Sequence, residues 1–426
     1  TSSATFTVGG TIAGTIFNDA DASWTFGPGD DKPFEGVTLR LLDADGNPVK
    51  DDSGADITTK TDADGNYLFN RLPLGSYKVE VVPGDAKVNG TDVNLSDYKQ
   101  TYGYGSSTDR TQIGQGTLVT PNPIELTAAA PNTTKVDFGF VKPASVGDYV
   151  WFDANKDGLQ DSDEPALPGI TATIVDASGN PVVDASGRPV SAVTTGADGQ
   201  YTFENLLPGD YKVSFQTPAG YEATISGAGA DRALDSNGAE ASVTLVQGQT
   251  DDTIDFGAVG TGVIGDQLFV DVNQNGGGAP DAGDKVLPNV KVTLTWTGPG
   301  GITRTYETTT DADGKYTFEN LLPGEYKVSV DPESLLAAEP LLDVLTHAPS
   351  GDVAAKKVVS EEAKADKDKL AAAFNLNASV TLTGEKNQNL DQDWGFGISA
   401  DTAIRKAITT PDEQAQESFE FVPGAK

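Results

Sequence analysis

Tyrosine and phenylalanine stand at alternate positions, among mostly polar neighbours, in three short stretches, NYLFNRL at 66–72, QYTFENL at 200–206 and KYTFENL at 315–321. Each is followed by a second alternating run, SYKVEV, DYKVSF or EYKVSV. Alternation with period two puts the tyrosines and phenylalanines on one face of a strand, and that face has to be covered. An Asp-Gly pair precedes each copy (Asp64-Gly65, Asp198-Gly199, Asp313-Gly314), and a Leu-Pro corner ending in Gly75, Gly209 or Gly324 separates the two runs. The pattern reads as one β-hairpin unit used three times, with its two tyrosines at a fixed spacing: Tyr67 and Tyr77, Tyr201 and Tyr211, Tyr316 and Tyr326.

Other runs complete the picture. Strands are expected at Val37–Leu42, at GDYVWF (147–152), at Ile170, Ala172 and Ile174, and at GDQLFV from Gly265; KVDFGFV, TIDFGAV and LDQDWGFG close the repeats. The copies lie somewhat over a hundred residues apart, enough for each to own a core. The fold class is therefore all-β, three tandem sandwiches with a short helical insertion in the third. The expected domains are residues 1–142, 143–260 and 261–398, followed by a tail, 399–426. Thr1–Val8 reads as an edge or linker strand, and the short link Lys142–Val146 contains Pro143, which limits swivel. Helical text is confined to the third repeat. Asp331-Pro332-Glu333 is an N-terminal cap, and 352–374, rich in Ala, Lys and Glu, reads as a solvated surface helix.

Composition sharpens this. The 426 residues include 48 Gly and 24 Pro, which suits short strands and many turns. There is no Cys or Met, so disulfides and soft-metal sites are excluded, and a start without Met fits a processed or excised segment. A formal charge of −34 opposes nucleic acid and anionic membranes and favours cations. No apolar run approaches the roughly 18 residues of a membrane span.

Cation chemistry has a specific address. Asp153, Asn155, Asp157, Asp161 and Glu164 occupy positions 1, 3, 5, 9 and 12 of an EF-hand-like loop, with Gly158 at the turn and Gln160 counted beside them. Oxygen-only ligands select a hard cation, and an acidic, flexible set suits calcium. The third repeat offers Asp271, Asn273, Asn275, Asp281 and Asp284, with two extra residues and fewer carboxylates, so weaker binding is expected. The first repeat offers Asp19, Asp21, Ser23, Asp30 and Asp31, with Ala22-Ser23-Trp24 where the central glycine belongs. Asp62, Asp64, Asp198, Asp311 and Asp313, with Asp231, Asp235 and Asn237, are either a second acidic cluster or ordinary turn residues.

GDYVWFDANKDGLQDSDEP, YTFENLLPGDYKV, GYEAT, ALDSNG and the terminal DFG together resemble the B repeats of Gram-positive serine-aspartate repeat proteins, the SdrD B-like family, related to Cna B-type adhesin stalk domains. The resemblance implies prealbumin- or immunoglobulin-like sandwiches, calcium as stabilising ion, and an extracellular place on a bacterial surface. Many Cna B-type domains carry a Lys–Asn isopeptide bond beside a strand Glu. Here the corresponding position, two after the second tyrosine, holds Val79, Val213 or Val328, and no such bond is expected.

The expected function is a calcium-stabilised stalk or adhesin segment of a cell-surface protein. The alternative is a surface-layer or fibre subunit joined through terminal strands, such as SFEFV at 418–422. Expected partners are calcium ions, other copies or neighbouring stalk domains, and an unknown host or surface ligand; nucleic acid and membrane insertion are not expected. The Tyr98, Tyr102 and Tyr104 cluster is where a ligand would be sought. No enzyme activity is expected, because the lone His347 lacks a paired nucleophile motif.

Overall fold

The structure is a computed structural model, which describes residues 9–27, 29–103, 118–298, 303–349, 357–358 and 360–398. The segment 1–8, Tyr104 and the tail 399–426 with its SFEFV run lie outside the described residues. The chain divides into two compact units, Thr1–Thr217 with Ala223–Ala258, and Pro218–Glu222 with Val259–Lys426. Two sandwiches fall in the first unit and one in the second.

All three sandwiches use one plan. An opening strand, Gly10–Asn18, Ala144–Phe152 or Gly262–Val270, pairs in parallel with the closing strand, Phe138–Val141, Phe256–Gly260 or Trp394–Gly397. It also pairs antiparallel with the first strand of the tyrosine unit, Asn66–Leu72, Gln200–Leu206 or Lys315–Leu321. The second strand of that unit, Gly75–Val82, Gly209–Gln216 or Gly324–Val330, pairs instead with Thr38–Asp43, Thr171–Asp176 or Lys291–Thr297.

The tyrosine unit is therefore not a hairpin, because its two strands belong to opposite sheets. The residue before the final leucine, Arg71, Asn205 or Asn320, takes a left-handed φ of 57°, 59° or 64°. That rotation, with a proline unable to donate to a ladder, carries the chain across the sandwich. The fixed tyrosine spacing follows. Tyr67, Tyr201 and Tyr316 donate to the Val136, Ile254 and Gln392 carbonyls (2.6, 2.6 and 2.8 Å), just ahead of the closing strand. Tyr77, Tyr211 and Tyr326 reach back over the corner to the Pro73, Leu207 and Leu322 carbonyls (3.0, 2.7 and 2.7 Å). Both rings are buried and both hydroxyls are satisfied, which removes the cost of burying them.

Val79, Val213 and Val328 are fully buried between the sheets, each contributing about 1.5 to 3 kcal/mol of apolar burial. In the second sandwich Phe215 stacks on Phe256 at 4.8 Å. Tyr98 packs edge-on against Phe34 at 5.2 Å, which makes it part of the first core rather than a ligand platform. Only the linker residues Lys142 and Pro143 separate the first closing strand from the second opening strand, and the Lys142 carbonyl accepts from Gly248 N–H at 3.0 Å.

In the third sandwich the helix Pro332–Ala338 is capped by Asp331, whose carboxylate accepts from Ser334 N–H. The single surface helix expected over 352–374 is instead two short ones, Glu361–Lys364 and Lys367–Ala373, because Ser360 and Asp366 each cap a new start. Leu370 and Phe374 are buried, and Phe374 meets Phe396 at 5.3 Å, so this element covers the sandwich rather than decorating it.

Candidate metal centres

Each acid loop begins where the opening strand ends. The N–H groups of Asp19, Asp153 and Asp271 donate to Phe140, Ala258 and Phe396 of the closing strand (2.8, 3.0 and 2.6 Å), so the three residues are equivalent. All three are buried. Asp153 accepts from Lys156 N–H, Gly158 N–H and the Thr224 hydroxyl (2.6, 2.8 and 2.5 Å). Asp271 accepts from Asn275 and Gly276 N–H (3.1 and 2.9 Å), and Asp19 from Ser23 and Trp24 N–H (2.9 and 3.1 Å). The loops share their left-handed residues too: Lys156 and Gly158, Gln274 and Gly276, Ala22 and Trp24.

The closing acid returns to the second loop residue. Glu164, Asp284 and Asp31 accept from the N–H of Ala154, Val272 and Ala20 (2.6, 2.9 and 2.9 Å). In the first loop this position belongs to Asp31, which is buried, whereas Asp30 is exposed. Between the ends, the second and third loops interleave amides with carboxylates. Asn155 donates to Asp157 and Asp161 (3.0 and 2.9 Å), and Asn273 and Asn275 donate to Asp281 (3.0 and 2.5 Å). The Gln160 main chain donates to the Leu234 carbonyl at 2.8 Å, tying the second loop to the segment above it.

The first loop has no such amide. Oxygens of Asp19, Asp21 and Asp31 lie within 4.8 Å of one another, and among the described residues this is the one such cluster of three acids. Two oxygens bound to one calcium at about 2.4 Å can be no more than about 4.8 Å apart, so the donors fit a shared ion. Burial, with Asp31 close by, pushes the Asp19 carboxyl up to about 6, and burial also raises Asp31 and Glu164. The interleaved amides of the other loops fit the same reading, since each donor group occupies the space between carboxylates that a cation would take.

The Asp-Gly turn acids do not gather. Asp62 accepts from Asp64 and Asn66 N–H, and Asp311 from Asp313 and Lys315 N–H, which is local turn chemistry. Sequence reasoning missed a different pair. Asp255, immediately ahead of the closing strand, is fully buried and faces Asp148 of the opening strand; burial, then the Asp148 charge, push it up to about 8, and Asp148 rises to about 6. Asp393 and Asp266 repeat the arrangement, with Asp393 pushed up to about 8. The recurrent acid immediately before the apolar closing strands, in DFGF, DFGA and DWGF, is the signal that could have found it. Thr224, which caps Asp153, was legible only as part of GYEAT.

These features define a class: tandem all-β sandwiches, each opening into an acidic, cation-loop-like turn at one end. The profile of the SdrD B-like domain matches residues 10–140, 144–258 and 262–396, and the chain belongs to that family. It is 35% identical over 308 residues to serine-aspartate repeat-containing protein D of Staphylococcus aureus strain Newman, covering 72% of this chain and 20% of that protein. It is 36% identical over 282 residues to protein F of the same description from Staphylococcus epidermidis, covering 65% and 14%. The chain thus spans about a fifth or less of these relatives. Among solved structures, a streptococcal ancillary pilin aligns over 92% of this chain and 99% of its own at 14% identity and a TM-score of 0.25, and the Bacillus anthracis TIE protein over 75% and 45% at 14% and 0.30. Among the described residues no helix is long and apolar enough to cross a membrane.

Proposed function

We propose that the chain is a calcium-stabilised stalk segment of a bacterial cell-surface adhesin, working outside the cell as a spacer whose sandwiches are stiffened by ions in their acid loops. The observation that carries this reading is the threefold recurrence of one loop geometry, with a buried first acid and a closing acid bonded back to the second residue. Without an ion, Asp19, Asp21 and Asp31 repel one another, and a cation reverses the sign of that interaction. Because the unfolded loop has no formed site, binding free energy adds to folding free energy. This reading assigns His347 no catalytic part; the residue is half-buried, with Nε2 3.8 Å from Asp393 Oδ2. The alternative, assembly through terminal strands, concerns residues 1–8 and 399–426.

Thermal melts and protease resistance of the chain in calcium, in magnesium and in chelator test the reading. At calcium a hundredfold above the dissociation constant, each site adds about 2.7 kcal/mol. Asp153→Ala and Glu164→Ala should remove the response of the second sandwich and Asp31→Asn that of the first, while Asp30→Asn leaves it intact. A melting profile indifferent to calcium refutes the proposal.

A further inference from the structure

The first sandwich contains a cleft of about 770 Å³, within the roughly 300 to 1,000 Å³ typical of small-ligand sites. It lies between the opening strand, the acid loop and the approach to the closing strand, and its lining includes Thr15, Trp24, Phe26, Asn66, Lys135 and Asp137. The equivalent place in the second sandwich is furnished differently. Gly14 pairs with Tyr67 as Asp148 pairs with Tyr201, so the first sandwich lacks the carboxyl that the second carries there. Trp24 sits where the second loop has Gly158, and a Cβ on Gly158 would lie 2.7 Å from Ile225. The second sandwich thus roofs this space with its own chain, and the first sets aromatic rings around it.

We propose that this cleft is a binding subsite for a neutral saccharide ring. Two features point to the apolar face of such a ring. Phe26 is 45% exposed yet held edge-on by Phe17 at 5.4 Å, and Trp24 is kept at a φ of 67°, a left-handed conformation that strains an aromatic residue. Amphipathic aromatic surface of this kind takes the C–H face of a sugar, while hydroxyls need donors and acceptors at the edge. The edge supplies both. Asp137 gives one oxygen to Thr15 N–H at 2.8 Å and keeps the other; Asn66 takes the Thr15 hydroxyl on Oδ1 at 3.2 Å and keeps its amide donors. Lys135 offsets the Asp137 charge, so the floor has no net drive for a cation, and the chain's charge of −34 repels polyanions.

The subsite does not depend on the calcium reading and is tested separately. The indole N–H resonance of Trp24 in the intact chain is the reporter, since Trp24 lines the cleft and Trp151, Trp296 and Trp394 do not. The probes are neutral trisaccharides of N-acetylglucosamine, of mannose and of glucose, with a lysine tripeptide and a sulfated oligosaccharide for comparison. A neutral trisaccharide should shift the Trp24 signal saturably, and the N-acetylglucosamine and mannose arms separate a bacterial wall glycan from a host glycoprotein glycan. Phe26→Ala and Asp137→Asn should each weaken binding about tenfold, with Leu68→Ala, an exposed site outside the cleft, unchanged. Trp24 is left unaltered because it also packs at the junction between sandwiches. Silence from every neutral sugar, preference for the lysine peptide, or binding that survives both cleft variants overturns the proposal.

Discussion

The acid loops of the first and second sandwiches have one backbone and two different fillings. Both bury their first acid and both return the closing acid to the second residue. In the second loop the left-handed turn residue is Gly158, and its carbonyl accepts from Ser236 N–H at 3.0 Å, so the segment after Thr224 lies directly over it. In the first loop the same seat holds Trp24, which packs with Ala22 against Val141 at the end of the first closing strand and against Ala185 and Leu207 of the second sandwich. One loop is roofed from within its own domain; the other is a wedge between two domains. The seat tolerates glycine or tryptophan according to what stands above it, although only glycine is free of backbone cost there.

Exchanging the fillings gives the largest expected effect. Gly158→Trp forces a side chain into space held by Ile225 and the Ala228 methyl group, with contacts at 2.7 and 3.1 Å for the first carbon alone, and should destabilise the second sandwich by about 3 kcal/mol or more. Chemical denaturation of the whole chain measures this; a loss below about 1 kcal/mol would mean the roof is loose and the contrast superficial.

A pH series sharpens the comparison on a second axis. The Asp148 and Asp255 carboxyls keep protons in the folded second sandwich that the unfolded chain releases near 4, so the folded state binds more protons. Their contribution is complete below about 4 and is lost as pH rises through about 6 and then about 8. The first sandwich has Gly14 in place of Asp148 and should lose less over this window. Asp148→Asn is expected to flatten the fall in melting temperature of the second sandwich; an unchanged slope would show that the pair does not share a proton.

The smallest effect concerns the junction. Trp24→Gly relieves a left-handed strain of about 1 kcal/mol but gives up the ring's packing on Val141, Ala185 and Leu207. The lost packing outweighs the relieved strain by about 1 to 2 kcal/mol, and the more telling change is in cooperativity, with the first and second sandwiches melting separately instead of together. Calorimetry distinguishes one transition from two, and a single unshifted transition would mean that the wedge couples nothing.

Much of this was legible beforehand. Tyr and Phe at alternate positions in NYLFNRL and its two counterparts marked the strands, their repetition marked three repeats, and Asp or Asn at alternate positions after GDYVWF marked the loop. Alternation reports which face of a strand is covered, not which sheet the strand joins, so the tyrosine unit read as a hairpin until pairing showed its strands in opposite sheets. Spacing likewise could not choose between Asp30 and Asp31, because loops of unequal length end on the same geometric point.

The sequence by itself determined what is local and repeated: strand periodicity, turn residues, the acid-rich loops and the family. Tertiary structure decided what depends on distant chain arriving at one place. Leu207 and Ala185 turn Trp24 into a wedge, Asp148 meets Asp255 just ahead of a neighbouring strand, and Gly14 lines the open cleft of the first sandwich. A residue's own propensity is written in its type, but its energy is set by neighbours that the chain brings from a hundred residues away.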